Sequence, residues 1–141
     1  MKLSPTLTRS VLANSSKLDR VTLSLPPELI AGMSEAEFSK IVIDIAQLNG
    51  FRVAHFRAAK VTRGGVEKYE TPIAADGKGF PDLVLAKAGR PVIYAELKSE
   101  SGKVRPEQVE WLELLRLTPS QVFVWRPSQL DEITRILGGD P

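Results

Sequence analysis

Two apolar segments near the middle of the chain carry charged residues that an ordinary buried strand would lack. Asp82 comes directly before the run Leu83-Val84-Leu85-Ala86, and Glu96 and Lys98 lie near the end of a second run, residues 92–98. Burying a charged group lowers stability unless a partner compensates it. A divalent cation together with a phosphate group would compensate these three side chains, which makes them candidates for phosphate chemistry.

The two segments predict a β-hairpin that turns at residues 88–91. Side chains alternate between the faces of a strand, so Glu96 and Lys98 point to the same side. A loop centred on Gly89 places Asp82 opposite Glu96, with Cβ atoms about 5 Å apart. Two carboxylates at that separation repel each other unless a cation lies between them. A register shift of one residue would turn Asp82 to the other face, so this pairing is a condition of the hypothesis.

A helix is predicted before the hairpin and would have to supply any further acidic group. Ser34 and Glu37 form a capping-box pattern, and the helix runs from Glu35 to about Asn49, where Asn-Gly ends it. Glu35 lies beside the apolar face of this helix, so we expect it, rather than Glu37, to point at the sheet. The alternative is that both are ordinary first-turn acids favoured by the helix dipole.

Two polar residues on other elements are also candidates. A helix predicted from Pro106 to about Leu117 has Gln108 in phase with its buried face, where a polar side chain either caps a sheet edge or reaches into the site. His55, the only histidine, lies in a short strand predicted over residues 51–56. One histidine cannot form a zinc site in a chain without cysteine, so a structural or substrate-facing role is expected.

Residues 57–79 are predicted to form a long connection that is rich in glycine and basic residues. Loops of this length are usually functional or mobile. Two interpretations stay open: the loop approaches a phosphodiester strand through residues such as Lys60 and Arg63, or it is a disordered surface loop. Residues 52–105 contain 11 Lys/Arg and 6 Asp/Glu, although the net charge of the chain is only +2. Next to a metal site, this bias favours a phosphate-bearing partner.

The composition is that of one ordinary globular domain. The chain has 141 residues, of which 43% are hydrophobic and 26% charged. The absence of cysteine excludes disulfides and thiol nucleophiles. No segment resembles a secretory signal or a membrane span, so we expect a cytoplasmic protein without membrane contact. Residues 1–32 are predicted to be a weakly ordered extension, and residues 33–141 to be the domain.

The predicted order of elements is helix, three strands, helix, strand and helix. The last strand covers residues 121–125, and the last helix is capped by Ser128-Gln129-Leu130-Asp131 and extends through Leu137. This order predicts an α/β fold with a central mixed β-sheet flanked by helices.

The combined motifs resemble those of a known nuclease family. The chain is similar to the small VRR-NUC (virus-type replication and repair nuclease) proteins of the PD-(D/E)XK superfamily, over about residues 33–137. The segments that carry the resemblance are Met33-Ser34-Glu35, His55, Lys78-Gly79-Phe80-Pro81-Asp82, Glu96-Leu97-Lys98, Gln108 and Trp125-Arg126-Pro127. The resemblance implies a restriction-endonuclease-like core and a metal-dependent DNA endonuclease.

The resemblance also implies the roles of the site residues. Asp82, Glu96, Glu35 and the main-chain carbonyl of Leu97 would bind Mg²⁺ or Mn²⁺. Lys98 would orient the attacking water and stabilise the transition state, and Gln108 would hold the lysine, the water or a phosphate oxygen. The residues expected to contact DNA are Lys60, Arg63, Lys78 and His55.

The family further implies branched DNA as the substrate, such as Holliday junctions or flaps, and a homodimer in a bacterial or phage-infected cell. Three alternatives remain: a buried Asp–Lys–Glu salt-bridge cluster without catalysis, a non-catalytic nucleic-acid-binding module, and an RNase or toxin of the same fold. The complete set of Asp82, Glu96 and Lys98 disfavours the non-catalytic module.

Overall fold

The computed structural model describes residues 25–57, 59–70 and 74–139. Within these ranges, four α-helices lie at α1 (Pro27–Gly32), α2 (Glu35–Leu48), α3 (Pro106–Arg116) and α4 (Leu130–Gly138). The same ranges contain six strands, at β1 (Arg52–His55), β2 (Ala59–Arg63), β3 (Val66–Glu70), β4 (Leu83–Ala86), β5 (Ile93–Leu97) and β6 (Gln121–Trp125). None of the helices in these ranges is long and apolar enough to cross a membrane.

Four of the strands form a mixed sheet in the order β1-β4-β5-β6. Strand β4 is antiparallel to both β1 and β5, whereas β6 runs parallel to β5. The connection between those two parallel strands contains α3, as a crossover requires. The predicted α/β fold with a central mixed sheet flanked by helices is therefore confirmed.

The main hydrophobic core lies between one face of this sheet and helices α2 and α4. Side chains that alternate along β4 and β5 point into it and are fully buried, namely Leu83, Leu85, Ile93, Ala95 and Leu97. Helix α2 contributes Phe38, Val42 and Ile45, and α4 contributes Ile133 and Leu137. Ser34 caps α2 as predicted, because its hydroxyl accepts a hydrogen bond from the Glu37 N–H at 3.1 Å.

The opposite face of the sheet carries aromatic side chains and helix α3. The Phe80 ring makes edge-to-face contacts with Phe56, Tyr94 and Trp111, with centroids 5.5, 5.9 and 5.1 Å apart. Such edge-to-face contacts stabilise aromatic clusters beyond the burial of area alone. Glu96 and Lys98 lie on this second face, where they are covered by α3 rather than by the main core.

The prediction of a structureless connection over residues 57–79 was wrong for most of its length. Residues 59–70 form an antiparallel hairpin of β2 and β3, with Lys60 opposite Tyr69. Gly64 and Gly65 occupy its turn with φ of +58° and +77°, which favours glycine. Strand-forming residues on both sides of a Gly-Gly pair are the hairpin signal that the interpretation as a loop overlooked.

Two further segments differ in detail from the predictions. Helix α1 lies in the predicted weakly ordered extension, whose residues 1–24 are outside the described ranges. A 3₁₀ turn at Pro127–Gln129 precedes α4, and the cap at this turn is Gln129, whose Oε1 accepts from the Arg126 N–H at 2.8 Å. The Ser128 N–H instead donates to Glu100 Oε2 at 3.1 Å, so the predicted capping box at this helix was wrong.

Candidate active site

The register of the β4–β5 hairpin brings Asp82 and Glu96 together. Leu83 pairs with Ala95 and Leu85 with Ile93, so the next position along the ladder places Asp82 opposite Glu96. Asp82 Oδ2 accepts a hydrogen bond from the Leu97 N–H at 2.8 Å, which fixes the aspartate across the strand pair. The register is the one required by the sequence hypothesis.

Glu96 is the centre of the site and is almost fully buried, at 1% exposure. Its Oε1 accepts a hydrogen bond of 2.6 Å from Gln108 Nε2 and lies 3.4 Å from Lys98 Nζ. Its Oε2 is also buried but accepts no hydrogen bond from any residue that the structure describes. A buried carboxylate oxygen without a partner is costly, and such a group in a native fold needs an explanation.

Glu96 keeps its proton to a higher pH than an ordinary glutamate does. Burial, followed by the nearby charge of Asp82, raises the pKa of Glu96 from 4.5 to about 8, and the ammonium of Lys98 opposes this rise only in part. The carboxyl pair therefore retains a proton at neutral pH when no cation is bound. A divalent cation would take the place of that proton.

Lys98 and Gln108 are held by contacts on both sides of the site. Lys98 is 8% exposed, and its backbone N–H donates to the Trp125 carbonyl at 3.0 Å, which continues the β5–β6 pairing past the end of β5. Gln108 is 5% exposed, and its Oε1 accepts from the Arg105 N–H at 2.9 Å while its Nε2 reaches Glu96. Gln108 thus caps α3 and enters the site at the same time.

The segment before Asp82 packs tightly on the start of α3. Gly79 has φ of +86°, and a Cβ there would lie 2.5 Å from the Glu107 carbonyl. Trp111 Nε1 donates to the Asp76 carbonyl at 3.0 Å, and the Trp111 ring contacts Phe80. Sequence reasoning did not assign roles to Gly79 and Trp111. The Gly-Phe-Pro-Asp sequence was visible, but the close approach of its backbone to a helix depends on tertiary structure.

The structure does not bring Glu35 to these residues. Glu35 is exposed in the first turn of α2, the helix that packs on the opposite face of the sheet. Among the residues that the structure describes, no group of three or more His, Cys, Asp or Glu side chains could together hold a metal ion. The acidic side chains that meet at the site are therefore the pair Asp82 and Glu96.

His55 lies on the strand that pairs with β4, and the other predicted DNA contacts are at exposed positions. His55 ends β1 opposite Leu83 and is half-buried; burial lowers its pKa, an effect that the charge of Asp82 opposes and that of Arg57 adds to. The side chains of Lys60, Arg63 and Lys78 are all exposed. Lys60 and Arg63 lie on the β2–β3 hairpin, where Lys60 Nζ pairs with Glu67 Oε2 at 2.9 Å.

The donor set fits a small divalent cation. Mg²⁺ is usually bound through one or two carboxylates and completes its coordination with water and substrate phosphate. Asp82 and Glu96 provide such a pair, and the partnerless Oε2 of Glu96 is available to bind a metal. Lys98 adds a positive charge beside the pair, where an anionic oxygen of a substrate would benefit from it.

Comparison with known proteins agrees with the geometry. The family model for the VRR-NUC domain matches residues 41–129, more than half of the chain. No curated protein and no solved structure matches significantly. The matched range contains β4, β5 and α3, and with them Asp82, Glu96, Lys98 and Gln108. The chain therefore belongs to the VRR-NUC family and has a nuclease-type fold.

Proposed function

We propose that this VRR-NUC protein is a metal-dependent endonuclease that hydrolyses phosphodiester bonds in DNA. The observation that carries the proposal is the buried carboxyl of Glu96 beside the charge of Asp82. One of its oxygens is held by Gln108 and Lys98, and the other accepts no hydrogen bond from the described residues. In a purely structural salt-bridge cluster, the two neighbouring carboxyl groups would have to share a proton to avoid repulsion. A bound cation would remove this repulsion.

Asp82 and Glu96 would hold Mg²⁺ or Mn²⁺, with the Leu97 carbonyl on the same strand as a further ligand. When bound, such an ion polarises the phosphate and lowers the pKa of a water. Gln108 holds Glu96 Oε1 and so leaves Oε2 for the ion. The Lys98 ammonium, held beside Glu96, orients the attacking water and stabilises the charge that develops on the phosphate.

Glu35 and His55 are assigned lesser roles in this proposal. Glu35 is exposed and would join the metal site only through water or after a movement of α2. His55 lies within the electrostatic reach of Asp82 but pairs with the core residue Leu83, so it would contact the substrate only from the end of β1 and would not bind the metal. Lys60, Arg63 and Lys78 would contact the DNA backbone around the site.

The substrate class that we propose is branched DNA, such as a four-way junction or a flap, cut by a homodimer. Family membership and the excess of basic residues in the segment 52–105 support this assignment. A symmetric dimer would present two identical sites to two strands of one junction. Sedimentation of the purified protein with and without a junction tests the dimer directly; a monomer in both conditions would contradict it.

The function is tested by a cleavage panel of linear duplex, flapped and four-way DNA together with single-stranded and duplex RNA. Wild type should cleave DNA in Mg²⁺ or Mn²⁺, and cleavage should stop in EDTA and in the Asp82→Asn variant. Cleavage of RNA alone would establish the RNase alternative. Tight DNA binding without cleavage under any of these metal conditions would establish a non-catalytic module.

A further inference from the structure

Lys98 and Gln108, which both contact Glu96, are joined by a segment without regular structure. Lys98 directly follows β5, and Gln108 lies in the first turn of α3, so residues 99–105 connect two groups that both touch Glu96 Oε1. The position of this segment therefore determines how Lys98 and Gln108 meet Glu96. The contacts that hold residues 99–105 in place are consequently part of the site.

Arg126 binds this segment through a single guanidinium nitrogen. Arg126 Nη1 donates to the carbonyls of Ser99 at 2.8 Å, Glu100 at 3.3 Å and Gly102 at 2.6 Å. Arg126 directly follows Trp125, whose carbonyl accepts from the Lys98 N–H. Both the backbone of Lys98 and the turn after it are thus fixed to the end of β6.

We propose that Arg126 is a positioning residue for the reaction, since it fixes the turn that sets the placement of Lys98 and Gln108 on Glu96. This inference rests on the proposed nuclease function. Arginine suits the role because its guanidinium is planar, always charged and rich in donors. A lysine side chain is shorter, so its ammonium would end before the position of Nη1 and would not reach these three carbonyls.

The test compares Arg126→Lys with a matched variant, Arg90→Lys. Arg90 also donates to two main-chain carbonyls, those of Gly139 at 3.2 Å and Ile136 at 2.8 Å, but these lie at the end of α4. Arg90 belongs to the β4–β5 turn, the end of the hairpin opposite to Asp82 and Glu96. Both variants therefore remove side-chain hydrogen bonds to main-chain carbonyls, but Arg90 lies at the end of the β4–β5 hairpin away from the site.

Single-turnover and steady-state cleavage of a fluorescent four-way DNA junction, with Mn²⁺ titrated, provides the main measurement. Arg126→Lys is expected to lower kcat about 10- to 100-fold with little change in KM or in the Mn²⁺ concentration for half-maximal activity, because misplacement of a catalytic group acts on the chemical step. Amide hydrogen exchange should accelerate at residues 99–104. Arg90→Lys should lower the melting temperature and leave kcat of the folded protein unchanged.

The outcomes separate this inference from the function on which it rests. An active wild type with full kcat in Arg126→Lys, or a loss of kcat that Arg90→Lys shares, would overturn the positioning role and leave the nuclease assignment intact. Unchanged hydrogen exchange at residues 99–104 would overturn it as well. A wild type that cleaves no substrate with any metal would overturn both.

Discussion

Glu96 is almost fully buried, although only one of its two carboxyl oxygens accepts a hydrogen bond from the part of the chain that the structure describes. Its neighbour Asp82 carries a like charge, and the single cation in contact with it is Lys98 among the residues that the structure describes. Without a divalent ion, this arrangement lowers stability and forces a carboxyl group to keep its proton. A binding site commonly carries such a cost, because the favourable partner is the ligand.

Replacing Glu96 with glutamine is expected to stabilise the metal-free protein at alkaline pH. Because its folded-state pKa is raised from 4.5 to about 8, the folded protein binds this proton more tightly than the unfolded chain between those values. The stabilising contribution of protonated Glu96 is complete below about pH 4.5 and is lost as the pH rises through 8. Glutamine has no such proton to lose, so Glu96→Gln should gain about 1–3 kcal/mol over wild type at pH 9.

Urea unfolding in EDTA from pH 4 to pH 9 measures this difference in the free energy of unfolding. Glu113→Gln, at an exposed position of α3, serves as the control and should follow wild type throughout. If the free energies of unfolding of Glu96→Gln and wild type differ by the same amount at every pH from 4 to 9, Glu96 is not buried in its protonated form.

Lys98→Ala is expected to reduce cleavage while largely preserving metal binding. The lysine is a charge neighbour of Glu96 rather than a metal ligand, and loss of one preorganised donor to a developing oxyanion typically costs about 10²–10³ in kcat. Isothermal titration with Mn²⁺ and single-turnover cleavage separate the two effects. The exposed Lys103 provides the control variant, Lys103→Ala. Near-normal turnover in Lys98→Ala would remove the lysine from the chemistry.

At the scale of elements, periodicity and turn signals were sufficient for most of the fold. The bounds of α2 and the pairing of β4 with β5 followed from a capping pattern, alternation and the position of Gly89. These features are local, so the sequence encodes them directly. The β2–β3 hairpin was missed because its strands are short and polar and have little hydrophobic alternation. These strands form a separate sheet, so no apolar face is needed to pack against the main core.

The candidate site was predictable only in part, for a related reason. Asp82, Glu96 and Lys98 share one hairpin, and Gln108 was visible from the phase of α3, so four of the residues follow from local periodicity. The contribution of Glu35 depended on how α2 packs against the sheet. That packing is a long-range property, and the structure places α2 on the face opposite to α3.

Gly79→Ala tests the packing of the segment before Asp82 against α3. A methyl group there would meet the Glu107 carbonyl at 2.5 Å, and φ of +86° adds backbone strain. We expect a loss of stability of about 1–3 kcal/mol together with a reduced kcat, since the displacement separates Asp82 from the helix that carries Gln108. Chemical unfolding and cleavage by the folded fraction measure the two effects.

Gly65→Ala is the matched control for backbone strain. Gly65 has φ of +77°, but no atom lies within 4 Å of the position that an added methyl group would take, so its substitution introduces strain without a clash. It should lower stability only modestly and leave kcat unchanged. Equal effects of the two substitutions on kcat would show that the packing of Gly79 against α3 does not position the site.

The β2–β3 hairpin is expected to bind DNA rather than take part in chemistry. Its side chains are largely exposed, and an isolated two-stranded hairpin is only marginally stable without a partner. Lys60→Ala and Arg63→Ala should each raise the Kd for DNA. The slope of log K against log salt is negative, and each variant should make it less steep by about 0.9 for every DNA phosphate that the variant no longer neutralises. Fluorescence anisotropy over a range of salt concentrations measures both.

The control for the hairpin is Lys40→Ala, an exposed lysine on α2 at the far side of the sheet. It removes the same charge from a surface that the proposal leaves free of DNA. Salt slopes for Lys60→Ala and Arg63→Ala that match the slope of Lys40→Ala would exclude the hairpin from the DNA-binding surface.

At the scale of the whole molecule, the two faces of one sheet have different roles. The face toward α2 and α4 holds the main apolar core, whereas the face toward α3 holds the aromatic cluster and the charged site. A conservative core change should therefore alter stability without altering chemistry. Ile45→Val is expected to cost about 0.5–1.5 kcal/mol in the free energy of unfolding. Its kcat, measured on the folded protein, should equal that of wild type; a large fall in kcat would contradict this division.

The central claim is that Asp82 and Glu96 together bind the catalytic metal. Anomalous diffraction from crystals grown with Mn²⁺ and a DNA carrying a non-hydrolysable linkage locates the ion directly. We expect one strong peak about 2.0–2.3 Å from carboxylate oxygens of both Asp82 and Glu96, with the DNA phosphate beside Lys98. A peak elsewhere would contradict the account. The absence of Mn²⁺ between Asp82 and Glu96, in a crystal of protein that cleaves DNA, would contradict it as well.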